Sequence, residues 1–284
     1  MLVDTHCHIH EADYPLPVDE VLKRAHENKV DKMICVGTDI DSSARAVKFA
    51  LKHKEAYAII GVHPHNTKNL KASASILLSG VISVGGARRG SAQNRVFAQA
   101  KRDFRGGPSG RTRETNKIVG VGEIGLDYFY MHSPKEVQVK AFEEQLDFAL
   151  QNNLPVSFHV RDAFDDFWPI FDNFGGRLRG VLHSFTDTKK NAQKGMDRGL
   201  YIGVNGISTF TKDEDQKALF TELPIDRLLF ETDAPFLAPK PWRGKPNEPA
   251  FIFDIAKYHA EARGISIKDI ASATTTNAKE LFAL

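Results

Sequence analysis

Leu2-Val3-Asp4-Thr5-His6-Cys7-His8 opens the chain with a short apolar run that closes on two histidines one residue apart. Alternate residues of an extended segment face the same way, so both imidazoles can face one point. Cys7 then turns to the other side and reads as core packing. The same arrangement, an apolar run closed by a side chain able to bind a metal, returns along the sequence. Glu123 closes 118–123, His159 closes 155–159, His183 closes 180–183, and Asp233 follows 227–231. Together with 2–5, 32–36, 56–62 and 201–204, these runs make eight predicted strands.

Helical patterns at 17–28, 41–53, 134–152, 163–174, 187–198 and 213–222 separate most of the strands, and 249–264 and 266–282 follow the last one. In 134–152, apolar Val139, Phe142, Leu146 and Ala149 recur at helical spacing. Eight strands alternating with helices fit an α/β protein of one domain, 1–284, built as a closed (β/α)8 TIM barrel rather than an open sheet. Barrel sites lie at the C-terminal ends of the strands, so His6, His8, Glu123, His159, His183 and Asp233 are expected at one mouth. Each alone has an ordinary structural explanation, as a satisfied histidine, a helix cap or a loop carboxylate. All six falling at strand ends of one polarity is what a metal centre accounts for. Four imidazoles and two carboxylates suit Zn, Mn, Fe or Ni, whereas Mg alone would prefer oxygen.

Two cysteines, Cys7 and Cys35, cannot make a disulfide scaffold. With no secretory apolar segment, they read as reduced thiols of a cytoplasmic protein. No apolar run approaches the roughly 20 residues that span a bilayer, so no membrane role is expected. The net charge of +2 conceals an asymmetry: 68–117 holds 11 Lys and Arg against Asp103 and Glu114, while the rest carries 27 basic and 34 acidic residues. Within this stretch, 71–116 is rich in Gly, Ser and Arg (Gly85-Gly86, Arg88-Arg89-Gly90, Gly106-Gly107-Pro108). Its composition suits a flexible insertion with only weak helices at 72–83 and 91–104.

Longer stretches carry a resemblance. Val3-Asp4-Thr5-His6-Cys7-His8, Gly61-Val62-His63-Pro64-His65, Gly120-Val121-Gly122-Glu123-Ile124-Gly125-Leu126-Asp127-Tyr128 and Pro155-Val156-Ser157-Phe158-His159 lie in the first part of the chain. Leu182-His183-Ser184-Phe185, Leu229-Phe230-Glu231-Thr232-Asp233-Ala234-Pro235-Phe236-Leu237, Arg243-Gly244-Lys245-Pro246-Asn247-Glu248-Pro249 and Thr276-Asn277-Ala278 follow. With these the chain closely resembles the TatD family of metal-dependent hydrolases, within the amidohydrolase-like barrels. The resemblance covers 1–68 and 117–284, and 71–116 departs from it. It implies two divalent metal ions: Glu123 bridges them, His6, His8 and Asp233 complete one site, and His159 and His183 the other. It also implies nuclease action on DNA, usually as a deoxyribonuclease or 3′ exonuclease, with RNA or other esters sometimes accepted.

Such a centre would activate water at neutral pH, with Asp233 as the expected proton acceptor and Glu123 as the shared catalytic carboxylate. His63 and His65 follow the third strand and are assigned to the scissile phosphate or leaving group, although Pro64 marks a turn that either could simply cap. Arg161 could pair with a phosphate or with a neighbouring acid. Three rivals stand beside the nuclease. A related amide or lactone hydrolase often bridges its metals with a modified Lys, where this chain has Glu123. A D-aminoacyl-tRNA deacylase would use the same barrel on an ester. A non-catalytic nucleic-acid binder would rely on the basic 68–117 stretch, and its binding would fall steeply with salt. DNA is the expected partner, and no obligate protein partner is expected.

Overall fold

The computed structural model describes residues 1–70, 72–84 and 117–284. Among them, eight parallel strands form one sheet in chain order: β1 (Leu2–Cys7), β2 (Val30–Val36), β3 (Ala56–Ile60), β4 (Ile118–Asp127), β5 (Val156–Arg161), β6 (Gly180–Leu182), β7 (Tyr201–Val204) and β8 (Leu228–Phe230). The sheet curls until its edges meet. Cys7 bridges Ala234 in parallel, His8 N–H donates to Ala234 O at 2.7 Å, and Thr5 Oγ1 donates to Phe230 O at 2.9 Å. The outer layer holds α1 (Val18–Glu27), α2 (Ile40–Lys52), α3 (Ala74–Val84), α4 (Lys135–Gln151), α5 (Phe164–Asp172), α6 (Lys189–Asp197), α7 (Glu214–Glu222), α8 (Ile252–Arg263) and α9 (Ile267–Phe282). None of these helices is long and apolar enough to cross a membrane.

The strands sort their side chains with a period of two, as a sheet covered on both faces requires. Ile34, Val36, Ile59, Val181, Tyr201 and Leu229 pack inside the barrel, and Ala278, Leu281 and Phe282 of α9 join the same cluster. Their neighbours Met33, Cys35, Ala58, Ile60, Leu182, Ile202, Leu228 and Phe230 face the helices. On that outer side, fully buried Phe142, Phe158, Phe167 and Phe171 interlock at ring distances of 5.3–6.2 Å. Burial of each such ring contributes about 1.5–3 kcal/mol. This cluster fixes α4 and α5 against β5.

All eight predicted strands are present, but several ends move. β1 runs through His6 to Cys7, β3 stops at Ile60, and β4 and β5 continue past Glu123 and His159. In β4 the register with β5 shifts between Val121 and Ile124, then resumes from Ile124↔Phe158 to Asp127↔Arg161. Within the shift, Glu123 N–H donates to Gly37 O at 3.0 Å instead of to a neighbouring strand. Gly61 makes room for this, because a Cβ there would lie 2.5 Å from the carbonyl carbon of Gly122.

At the front of the Gly/Ser/Arg-rich stretch the weak helix expected at 72–83 is present as α3, shifted to Ala74–Val84. Ser73 Oγ and the N–H of Ala74 both donate to Glu144 Oε2 at 2.9 Å, so a carboxylate from α4 caps α3, and Ala74 and Leu78 are fully buried. The predicted helix 91–104 lies outside the described residues, as does most of the basic excess.

Candidate active site

Six imidazoles and four carboxylates gather over the apolar plug, at the C-terminal ends of the strands. His6 lies in β1 and His8 one residue past it; their Nε2 atoms stand 3.2 Å apart. Both face Oδ1 of Asp233, at 3.9 and 3.3 Å. Asp233 is held there by its own N–H, which donates to His6 O at 2.8 Å across the seam between β1 and β8. Glu123, projecting from the irregular part of β4, meets two groups of histidines. Its Oε2 is 3.4 Å from His6 Nε2. Its Oε1 is 2.7 Å from His159 Nδ1, 3.4 Å from His63 Nε2 and 3.7 Å from His183 Nε2. The six residues expected at one mouth are therefore together.

His63 both caps and faces the site. Its Nδ1 accepts from the N–H of His65 at 3.2 Å, opening the turn Pro64–Asn69, while its Nε2 points to Glu123. His65 sits further out, with Nε2 on Asp127 Oδ2 at 3.0 Å. Arg161 lies over the rings of Phe129 and Tyr130, at 4.2 and 4.7 Å from their centroids.

Most of the rings have one nitrogen held by the protein and the other aimed inward. His8 Nδ1 donates to Val36 O at 2.8 Å, and His6 Nδ1 lies 3.4 Å from Ser157 Oγ. His183 Nδ1 is in close ionic contact with Glu231 Oε1 at 3.0 Å, without the alignment of a good hydrogen bond. His159 Nε2 donates to Asp127 Oδ2 at 2.8 Å. Outer partners that fix ring orientation in this way are typical of metal-binding histidines. Asp127 and Glu231 are the functional residues that the sequence reading did not single out. Each had a signal: Asp127 lies four residues past Glu123 on an extended strand, and Glu231 two past inward-facing Leu229. Gly203 leaves space for Glu231, since a Cβ there would stand 2.6 Å from Oε2. Asp4 is a structural tie, accepting from Thr232 N–H and Oγ1 at 2.9 and 2.6 Å, and burial pushes its carboxyl up to about 8.

The electrostatics follow from this packing. Burial alone would raise Glu123, but the charges of His63 and His183 and the hydrogen bonds from His159 and His6 hold it well below the usual carboxylate range. Asp233 is likewise depressed against its burial, by His8 first and then by His183 and His6. Burial opposes charge on His159, yet Asp127 and Glu123 lift it to about 9; His183 is lifted against burial to about 10, chiefly by Glu231 and Glu123. His63 moves the other way, down to about 4, through burial and the neighbouring charge of His159. Buried anions that demand balancing positive charge, ringed by imidazole nitrogens, are a nest that fits a divalent cation. Ligand atoms of His6, His8 and Asp233 lie within 4.8 Å of one another, as do those of His63, Glu123 and His159, and those of His6, His183 and Glu231.

Known proteins share this frame. The family model described as TatD related DNase matches residues 3–283. An uncharacterized metal-dependent hydrolase, YabD of Bacillus subtilis, is 33% identical over 285 residues, covering 100% of both chains. A Citrobacter rodentium protein named 3′-5′ ssDNA/RNA exonuclease TatD is 31% identical over 94% of this chain and 92% of its own. The crystal structure of YJJV, a TatD homolog from Escherichia coli, superimposes with a TM-score of 0.82 at 28% identity, covering 100% of this chain and 98% of that one. Barrel and sequence thus agree across residues 3–283, and the chain belongs to the TatD-related DNase family of hydrolases.

Proposed function

We propose that the chain is a metal-dependent nuclease that removes nucleotides from the 3′ end of single-stranded DNA and accepts RNA. The carrying observation is Glu123, whose two oxygens face different histidine groups: Oε2 faces His6, and Oε1 faces His159, His63 and His183. That disposition supports a carboxylate shared by two ions. His6, His8 and Asp233 would hold one, His159 and His183 the other, with Glu123 common to both. The mixed nitrogen and oxygen donors favour Zn, Mn, Fe or Ni. When bound, such ions supply Lewis-acid activation of water and of a phosphoryl oxygen.

His63 supports a different role. Its Nδ1 accepts from a backbone N–H, so in the neutral ring the proton sits on Nε2. A protonated Nε2 donates and does not ligate. His8 is the reverse case, because Nδ1–H on Val36 O leaves Nε2 with a free lone pair. His63 is therefore assigned to donate to a phosphate oxygen, with His65 behind it. Asp233, ionised and 16% exposed at its side chain, accepts the proton of the attacking water. The name of the Citrobacter relative supports the substrate class. Two buried free thiols, Cys7 and Cys35, support a reducing, cytoplasmic setting.

The test is hydrolysis of a 3′-labelled single strand by chelated and Mn-reloaded protein, with a D-aminoacyl-tRNA as the competing ester. Chelation should stop release of mononucleotides and reloading should restore it. Asp233→Asn should lower kcat by about 10²–10⁴-fold with little change in KM. Cleavage that survives chelation, a loss confined to KM, or turnover of the aminoacyl ester alone would each sink the assignment.

A further inference from the structure

Phe129, Tyr130 and Phe236 are 55%, 50% and 60% exposed. Large apolar rings left in water are the informative exceptions of a surface, and these three line the same cavity as Glu123, His159 and Asp233. Phe129 and Tyr130 follow β4, whereas Phe236 follows β8. In a closed sheet ordered β1 to β8, those strands stand opposite each other, so the rings enter the shared cavity on loops from opposite sides of the barrel.

The rings of Phe129 and Tyr130 are also held in place, as is the backbone of Phe236. Phe129 and Tyr130 meet edge to face at 4.8 Å, and Arg161 lies over both. Tyr130 stacks on His132 at 5.7 Å and meets His65 edge-on at 5.5 Å, and His65 is itself fixed to Asp127. Phe236 sits three residues from Asp233, its N–H donating to Asp233 O at 2.8 Å and its carbonyl accepting from Asn247 Nδ2 at 2.6 Å. Among the described residues Arg161 has rings and no carboxylate as side-chain partners, which leaves its charge for an anion.

We propose that these two walls form a base clamp: Phe129 and Tyr130 stack on an unpaired base on one side of the scissile phosphate, Phe236 stacks on the other side, and Arg161 meets the adjoining phosphate. The clamp rests on the nuclease reading above and adds to it a reason for preferring unpaired strands. A paired base is stacked within its duplex and cannot offer its face to either wall. Stacking of this kind tolerates any base, so cleavage is largely independent of sequence.

The experiment compares kcat/KM on a 3′-labelled single strand with that on the same strand carrying base-less tetrahydrofuran residues at its two 3′-terminal positions. The proteins are wild type, Phe236→Ala and the Phe129→Ala/Tyr130→Ala double variant, all Mn-loaded. Wild type should favour the base-bearing strand by at least the roughly 5- to 150-fold that alanine substitution assigns to one base–ring stack. Each variant removes one wall, so that ratio should fall by one stack's share, about 5- to 150-fold, and Phe236→Trp should restore it. Equal losses on both strands, or an unchanged ratio, overturn the clamp alone. A wild type that cleaves neither strand overturns the nuclease reading, and the clamp with it.

Discussion

His159 and His63 show how single hydrogen bonds divide labour among similar side chains. Asp127 accepts the hydrogen bond of His159 Nε2–H and leaves Nδ1 facing Glu123, whereas the backbone N–H of His65 places the proton of His63 toward the cavity. The two should therefore fail differently. Asp127→Asn should weaken metal binding about 10- to 100-fold, the usual effect of removing an outer partner, read by titration against a chromogenic chelator. His63→Ala should keep its metal content while losing turnover. Metal lost from the His63 variant and kept by the Asp127 variant would reverse the assignment. The proposed ligands could be read from sequence because each closes or closely follows an apolar run. Asp127 and Glu231 were harder, since strand parity places them on the inner face but their partners His159 and His183 come from other strands.

At the scale of elements, α8 carries a titration that acts on the fold and not on the site. His259 is fully buried, with Nε2 2.9 Å from Ser208 Oγ and no partner for Nδ1 among the described residues. Burial, then the charge of Arg263, push it down to about 3. The unfolded chain takes up this proton below about 6.5 and the folded chain only near 3. Stability is thus complete above about pH 6.5 and falls as pH drops through that window, by about 1.4 kcal/mol per unit. Between pH 7 and 5, wild type should lose about 2 kcal/mol more than His259→Gln in urea unfolding of the chelated proteins. Parallel losses would show that His259 does not titrate in this way. Element boundaries were less legible than element types. β4 outlasts its glycines because Ile124–Asp127 finds a new register on β5, and α3 is stabilised by Glu144, some 70 residues away. Both causes are tertiary, so local composition misses them.

The whole molecule is a barrel whose closure places the site. Counting eight strands left an open sheet conceivable; the contacts that decide against it, Thr5 to Phe230 and Cys7 to Ala234, join the two ends of the sequence. The same seam sets Asp233 beside His6 and His8, while β4 and β5 bring Glu123 and His159 from across the barrel. If Glu123 joins two ions in one centre, its loss should disturb both sites. Metal content per folded chain, measured by elemental mass spectrometry on Mn-loaded wild type and Glu123→Ala, reads this out. Wild type should hold about two ions, and the variant should keep the barrel's circular dichroism but retain at most one and no longer hydrolyse DNA. A folded Glu123→Ala with wild-type metal content and near-normal turnover would contradict a shared role for Glu123.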